Sequence, residues 1–367
     1  MIGLGRIERY VIGYLVLGVI VALAIISAVV VLIQFVELTS QVGTRADVGP
    51  NSIFQLTLLR VPAIIQILLP ICFLFGGLGA FVVLNRRSEL VAMRAAGVSA
   101  WRFILPSAVV SLLLGVFAVG GLNPLAAALS SRFEIERARV MENYLGDQPK
   151  DIWLRQGDDT SQIVIHAKAR DTKAGVVMLR GVSLFIYEKN AKGAPEFRRR
   201  LEAGEATLMP GFWRLKDVRE ATAGDSSIRS DTLSIRSTLD SEAAMERLAS
   251  PETIAFWRLP RAIQLTEQAG FSGSGYRLRF QQLLATPLLF AAMSILAAAF
   301  SLRLTRLGGL AGLAGAGVGL GFILFFFNQF SGALAKADII PLFAAAWAPP
   351  IVALLAGVSL LCYTEDG

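Results

Sequence analysis

Charged residues are scarce in this chain. Only 17% of its 367 residues are Asp, Glu, Lys or Arg, whereas 54% are hydrophobic. Soluble domains carry about a quarter charged residues. The composition therefore excludes an ordinary soluble domain, because the apolar excess requires a lipid environment.

Cysteine and histidine are nearly absent. Cys72 and Cys362 both lie inside apolar segments, so the sequence offers no disulfide framework and no metal-ligand set. The single histidine, His166, alternates with Ile163 and Ile165 in a predicted strand, a pattern typical of a strand surface residue. The sequence contains no Walker A, Rossmann, nucleophile-elbow or zinc motif. We therefore predict no catalytic residue, no metal and no cofactor bound by this chain.

The basic residues do not form a surface for nucleic acid. The net charge is +7, but the sequence lacks a basic stripe with interleaved aromatic residues, which would indicate nucleic-acid binding. The basic side chains instead lie in short segments beside apolar runs, where they orient membrane helices. We predict no nucleic-acid partner.

Six apolar segments are long enough to cross a bilayer, whose hydrocarbon core of about 30 Å takes roughly 20 helical residues. They lie three and three around a more polar block with 22 Lys and Arg against 21 Asp and Glu. This pattern predicts membrane helices one to three in residues 1–123, an outer domain in 124–275 and helices four to six in 276–367. The apolar segments are approximately Tyr10–Val36, Val61–Leu84, Trp101–Asn123, Leu283–Leu302, Leu307–Phe330 and Ile340–Tyr363.

The charges of the loops predict the orientation of the chain. The loop Asn85–Arg102, between the second and third segments, carries four arginines against the single acid Glu89. The short loop Arg303–Arg306 between the fourth and fifth segments is also basic. Cytoplasmic loops carry the excess of Lys and Arg. Both termini are therefore predicted in the cytoplasm, and residues 124–275 on the opposite side of the membrane.

The central block has the two-residue period of β-strands. Segments such as Gln162–Lys168, Val182–Glu188 and Phe212–Val218 alternate apolar and polar residues and are separated by turn-forming residues. Short strands at this spacing predict an antiparallel sandwich or jelly roll. Helical patterns at Ser130–Asn143 and Thr253–Ala269 are interpreted as connectors to the membrane helices.

A short helix is predicted inside the basic loop between the second and third segments. Ser88 is a plausible N-cap and Gly97 a plausible C-cap for a helix of about ten residues, and Glu89 suits its first turn. The helix is too polar to cross the membrane. It either anchors the turn at the interface or protrudes and docks into another cytoplasmic protein.

The same segment resembles a known family. The run Arg87-Ser-Glu-Leu-Val-Ala-Met-Arg-Ala-Ala-Gly-Val-Ser is similar to the cytoplasmic coupling-helix motif of the LptF/LptG (YjgP/YjgQ) lipopolysaccharide export permeases. Its Ser-Glu-Leu-Val form, followed by Arg-Ala-Ala-Gly, looks more like the LptG branch than the LptF branch. The resemblance covers the whole chain, including Trp213–Val218 in the outer domain and Thr286–Met293 in the fourth segment.

The resemblance implies a permease subunit of an ABC transporter in the inner membrane of a Gram-negative bacterium. Such a subunit pairs with an LptF-like permease and rests on a dimer of a separate ATPase, which binds the ATP and Mg²⁺. Further implied partners are an LptC-like single-span jelly-roll protein and a periplasmic LptA-like bridge. The cargo is lipopolysaccharide, taken from the outer leaflet, and the outer domain is a periplasmic β-jelly roll.

The resemblance also implies roles for particular residues. Family members often place lysines near the outer end of the first span, where this chain has Gln34 and Glu37. Recognition of charge is then expected at other basic residues or in the partner subunit, or the native lipid is less phosphorylated. ATPase coupling is implied for Arg87, Ser88, Glu89, Leu90, Met93, Arg94 and Gly97, and lipid contact for Gln34, Glu37, Arg45, Arg60, Phe325 and Phe326.

Two other functions suit the same architecture. One is a permease that moves another lipid or a lipoprotein, which would match the missing lysines. The other is a non-transporting membrane scaffold or sensor whose outer domain binds a periplasmic partner. A membrane-embedded enzyme is disfavoured because no apolar segment contains the paired ionisable residues that mark intramembrane chemistry.

Overall fold

In a computed structural model, the apolar segments form helices and the central block forms strands. The structure describes residues 5–42, 49–142, 152–157, 161–173, 176–189, 195–209, 211–222, 228–237, 251–268, 273–304 and 310–366. Two compact units result. The first comprises Met1–Arg137, Pro251–Leu259 and Ser274–Gly367, and the second comprises Ala138–Ser250 and Pro260–Gly273.

Six helices among the described residues are long and apolar enough to span a membrane, which confirms the prediction of a three-plus-three arrangement. The two longest have 37 residues each and so extend about 55 Å, well beyond a hydrocarbon core of about 30 Å. Their ends therefore project into the polar layers. The helices of this unit are α1 (Arg6–Val42), α2 (Pro50–Arg86), α3 (Glu89–Ala95), α4 (Ala100–Phe117), α5 (Asn123–Glu142), α7 (Ser274–Leu304), α8 (Leu310–Lys336) and α9 (Leu342–Asp366).

Helix α7 is the centre of the membrane unit. It is the most buried span and contacts α2, α4 and α9. Its middle is rich in alanine, with Ala292 and Ala297–Ala299 fully buried. Small side chains let membrane helices approach closely, where dispersion contacts rather than a hydrophobic driving force hold them together. In contrast, α1 and α8 are the least buried of the six spans.

The crossing of α1 and α2 depends on two glycines. A methyl group at Gly76 would lie 2.5 Å from both the backbone nitrogen and the Cα of Val19. Gly18 faces Gly76 across the same contact. No side chain larger than hydrogen fits here, so this pair fixes how closely the first two spans pack.

A π-helical turn, Ala118–Leu122, joins α4 to α5 in the third span. The indole N–H of Trp257 donates to the carbonyl oxygen of Gly120 in this turn, at 3.1 Å. The buried side chain of Asn123 accepts from the backbone N–H of Phe256 at 2.8 Å and donates to Oε1 of Gln66 at 3.3 Å. The chain that returns from the central block is thus held to the second and third spans by directed hydrogen bonds.

The second unit contains one antiparallel sheet whose six strands follow chain order. Its buried side chains, which include Ile165, Leu184, Leu201 and Trp213, form a single cluster on one face. The strands are β1 (Ile152–Gly157), β2 (Ser161–Lys173), β3 (Val176–Lys189), β4 (Pro195–Met209), β5 (Phe212–Thr222) and β6 (Ile228–Arg236). A short amphipathic helix, α6 (Leu259–Gln268), precedes α7 in the chain.

The strand order refines the prediction for the central block. An inserted antiparallel β domain is confirmed. Each described strand pairs with the next along the chain, so among these strands the sheet is a meander without crossovers. Short connections keep consecutive strands adjacent, and a periodicity of two residues cannot distinguish this order from that of a sandwich.

We predict that Gly76→Ala destabilises the membrane unit while Gly79→Ala, one turn away, does not. The new methyl group at position 76 would overlap the backbone at Val19, whereas one at position 79 meets nothing within 4 Å. Overpacking of this kind costs about 1–3 kcal/mol. The midpoint of thermal unfolding in mild detergent measures the effect, and equal midpoints for both variants would contradict the close α1–α2 crossing.

Candidate functional site

The helix predicted in the basic loop is present as α3, which covers seven residues from Glu89 to Ala95. Its C-terminal end forms a Schellman motif. The N–H of Val98 donates to the carbonyl of Met93 at 3.1 Å, and that of Gly97 to the carbonyl of Arg94 at 2.9 Å. Gly97 has φ +79°, a conformation that glycine adopts without steric cost. Gly97 therefore ends the helix one residue beyond its cap, Ala96.

The start of α3 differs from the expected cap. Ser88 occupies the N-cap position, but its backbone is left-handed, with φ 58°, and its side chain makes no capping hydrogen bond. The turn instead closes through the N–H of Ser88, which donates to the carbonyl of Asn85 at 2.9 Å. The tight reversal after α2 imposes this conformation, so the capping bond of the prediction is not formed.

One side of α3 belongs to the core of the membrane unit. Leu90 is fully buried, and Met93 packs against the same hydrophobic cluster. The guanidinium of Arg94 donates to the backbone carbonyl of Thr364, near the end of α9, at 3.3 Å. These three residues were expected at the coupling surface, and the structure places them between α3 and its own subunit.

The opposite side of α3 is exposed and nearly free of charge. Val91 is 58% exposed, and Ala92, Ala95 and Ala96 are also exposed. Residues three or four positions apart are neighbours on a helix surface, which places Val91 beside Ala95 and Ala92 beside both Ala95 and Ala96, so these four residues form a continuous small apolar surface. Sequence reasoning missed this surface because its residues are ordinary helix formers and carry no motif of their own.

A polar cluster joins the start of α3 to α1. Tyr10 donates to Oε1 of Glu89 at 3.2 Å, and the Arg87 guanidinium donates to the hydroxyl of Tyr14 at 2.8 Å. The tyrosine rings meet edge to face at 5.0 Å, and the guanidinium lies 5.8 Å from the Tyr14 ring. The second carboxylate oxygen of Glu89 is buried and has no hydrogen-bond partner among the described residues.

A second polar cluster lies at the other end of α1 and contains three of the residues expected to contact lipid. Gln34 donates to Oε2 of Glu37 at 2.8 Å. Oε1 of Glu37 lies 3.7 Å from the guanidinium of Arg60 on α2. The structure therefore brings Gln34, Glu37 and Arg60 together, with the acid next to the base.

Three further residues of this cluster, Gln41, Phe133 and Arg137, were not identified from the sequence. Arg137 on α5 donates to Oε1 of Gln41 at 3.5 Å, and Gln41 donates to Glu37 at 3.1 Å. Phe133, one turn before Arg137, lies under both guanidinium groups, at 5.4 Å from Arg60 and 6.0 Å from Arg137. We name this set the outer cluster, after the orientation predicted from the loop charges. The sequence shows that Phe133 and Arg137 are four positions apart and so share one face of a helix. It does not show that this face meets residues of α1 and α2.

The remaining residues expected at the lipid lie on α8. Phe325 is half-buried and lines a small cavity together with Pro70 of α2, Met293 of α7 and Pro349 of α9. Phe326 is exposed and stacks with Phe322 at 5.8 Å. The two rings thus point in different directions, one into the helix bundle and one away from it. Arg45 lies outside the described residues.

Two comparisons, with a family model and with curated proteins, relate this chain to known proteins. The family model described as lipopolysaccharide export system permease LptF/LptG matches residues 9–363. The lipopolysaccharide export system permease protein LptG of Escherichia coli strain K12 is 22% identical over 351 residues, which cover 92% of each chain. LptG of Escherichia coli O6:H1 shows the same identity and coverage.

Proposed function

Because the chain belongs to the LptF/LptG family of lipopolysaccharide export permeases, we propose that it is the LptG-like membrane subunit of an ATP-driven lipopolysaccharide exporter. It extracts the lipid from the outer leaflet of the inner membrane and passes it to a periplasmic bridge toward the outer membrane. The observation that carries this proposal is the two-sided character of α3. One side of the helix packs against the membrane unit, and the other side is apolar and exposed.

The motor is a separate ATPase dimer that binds ATP and Mg²⁺ and docks on α3. The exposed face of Val91, Ala92, Ala95 and Ala96 supports this contact, because small apolar side chains let a groove close around the helix.

The lipid's phosphates are recognised at the outer cluster. Arg60 and Arg137 converge there on the ring of Phe133, so two guanidinium groups are presented from different helices. Guanidinium groups bind phosphate through paired, charge-assisted hydrogen bonds. Glu37 competes for Arg60, and this competition weakens the site relative to one with free cations. Phe322 and Phe326 on α8 provide an exposed aromatic surface for acyl chains.

The other proposed partners follow from surfaces that this chain leaves uncovered. An LptF-like permease pairs with it through the poorly buried α1 and α8. The β domain lies in the periplasm and continues toward an LptC-like single-span protein and an LptA-like bridge. Strand β6 is the last strand of the sheet among the described residues, and its Ile228 is 65% exposed, which supports such an extension because a sheet edge is a template for another strand.

The orientation of the chain is a further part of the proposal, and the excess of arginine in the loop around α3 supports a cytoplasmic position. We expect a membrane-impermeant maleimide to label Lys168→Cys in intact spheroplasts and Arg86→Cys only after permeabilisation. Both variants are made in a Cys72→Ser, Cys362→Ser background. The reverse labelling pattern would contradict cytoplasmic termini and a periplasmic β domain.

Docking on α3 is tested by Val91→Asp. A carboxylate buried at a contact without a partner is strongly unfavourable, so we expect the amount of ATPase that copurifies to fall about tenfold, which corresponds to about 1.4 kcal/mol. Ile228→Asp is the matched control, because it also places an acid on an exposed aliphatic position, and it should leave the ATPase bound.

Native mass spectrometry of the complex purified through this chain reads out both variants and the wild type. The expected wild-type complex contains a second permease, two ATPase copies and bound lipopolysaccharide. A complex without any ATPase would favour the scaffold or sensor function instead. A different copurified lipid would identify a permease of the same architecture with another cargo. The first span favours this test, because it carries Glu37 where family members often carry lysines.

Substitutions in the outer cluster should change lipid binding in opposite directions. Arg60→Gln and Arg137→Gln each remove a charge-assisted hydrogen bond, so we expect lipopolysaccharide binding to weaken about tenfold. Glu37→Gln removes the competing charge and should strengthen it. Arg132→Gln, on an exposed position of the same helix as Arg137, is the control. Binding is measured with phosphorylated and dephosphorylated lipid, and equal effects on both would contradict phosphate recognition here.

A further inference from the structure

The polar cluster at the start of α3 is a continuous series of polar contacts. The Arg87 guanidinium donates to the hydroxyl of Tyr14 at 2.8 Å. The hydroxyl of Tyr10 lies 3.4 Å from that of Tyr14 and donates to the Glu89 carboxylate at 3.2 Å. The four side chains thus form one relay from the guanidinium through two hydroxyls to the carboxylate.

The relay connects two helices that are far apart in sequence. Tyr10 and Tyr14 lie one turn apart on α1, while Arg87 and Glu89 flank the left-handed residue that starts α3. Both ends of the relay are charged, and hydrogen bonds to charged groups are about twice as strong as neutral ones. Any rotation of α3 about its axis must therefore either break the relay or carry the end of α1 with it.

The rest of α3 is attached elsewhere. Leu90 is buried in the core, and Arg94 reaches the end of α9. The relay is thus the polar attachment of α3 to α1 among the described residues. Helix α1 is also the span with the smallest buried share, so directed bonds at its end have more influence on its position than they would on the closely packed α7.

We propose that Tyr10 and Tyr14 are positioning residues that make the first span follow α3 when the motor moves it. This inference rests on the proposed function, and it assigns to Glu89 a contact within its own subunit besides any contact with the motor. The hydroxyl groups, rather than the rings, carry the role, because they alone complete the relay between the two charged ends.

The test uses Tyr10→Phe, Tyr14→Phe and the double variant in the complete complex with its ATPase. Each change keeps the ring and removes one hydroxyl. We expect assembly and ATPase rate to stay within about twofold of wild type, while lipid extracted per ATP falls about tenfold, as for loss of a hydrogen bond to a charged group. The double variant should be little worse than either single one, since members of one network are not additive.

Tyr187→Phe in β3 is the matched control for the chemical change and should leave every readout unaltered. Extraction per ATP that stays at the wild-type value in all variants would overturn the proposal, even if the midpoint of unfolding falls, because it would show a structural role alone. Loss of ATPase binding in the variants would also overturn it, since the hydroxyls would then serve docking. A wild-type chain that binds no ATPase would instead refute the proposed function itself.

Discussion

The lack of hydrogen-bond partners in the hydrocarbon interior is the constraint on which this structure depends. Backbone donors and acceptors in that layer must be satisfied within helices, so every apolar segment becomes a long helix and the strands form in the polar block between them. Polar side chains are for the same reason concentrated at the helix ends. The relay around Glu89 occupies one end of α1, and the outer cluster around Glu37 occupies the other.

A departure from regular α-helix within the third span is also held by hydrogen bonds. The π turn Ala118–Leu122 lies where the third span meets the segment that returns from the β domain. There Trp257 donates to the carbonyl of Gly120, while the side chain of Asn123 binds Phe256 and Gln66. Irregular backbone at membrane depth is tolerated only where it is buried or paired, and these bonds meet that requirement. The return of the chain is thus built into the membrane unit.

Local patterns predicted the elements, and long-range contacts could not be predicted. Hydropathy located the six spans, loop composition located α3, and alternation located the strands. No local pattern, however, indicates that Tyr10 meets Glu89 seventy-nine positions later, or that Arg137 joins Arg60 around Phe133. For the same reason the sequence indicated which residues form α3 but not which side of the helix each one faces. Leu90 and Val91 are adjacent and both aliphatic. Only the packing of α3 against the other helices determines that Leu90 is buried and Val91 is exposed.

The two ends of α1 have different chemistry, and the difference matches different tasks. At the α3 end, the charges of Arg87 and Glu89 are separated by two hydroxyls, so they are joined by directed bonds that depend on geometry. At the other end, the side chains of Glu37 and Arg60 remain partly in water, 40% and 32% exposed respectively. An ion pair so exposed contributes little to stability and exchanges readily for another anion. A rigid link at one end and an exchangeable pair at the other are what a helix needs if it is driven from one side and releases an anionic lipid on the other.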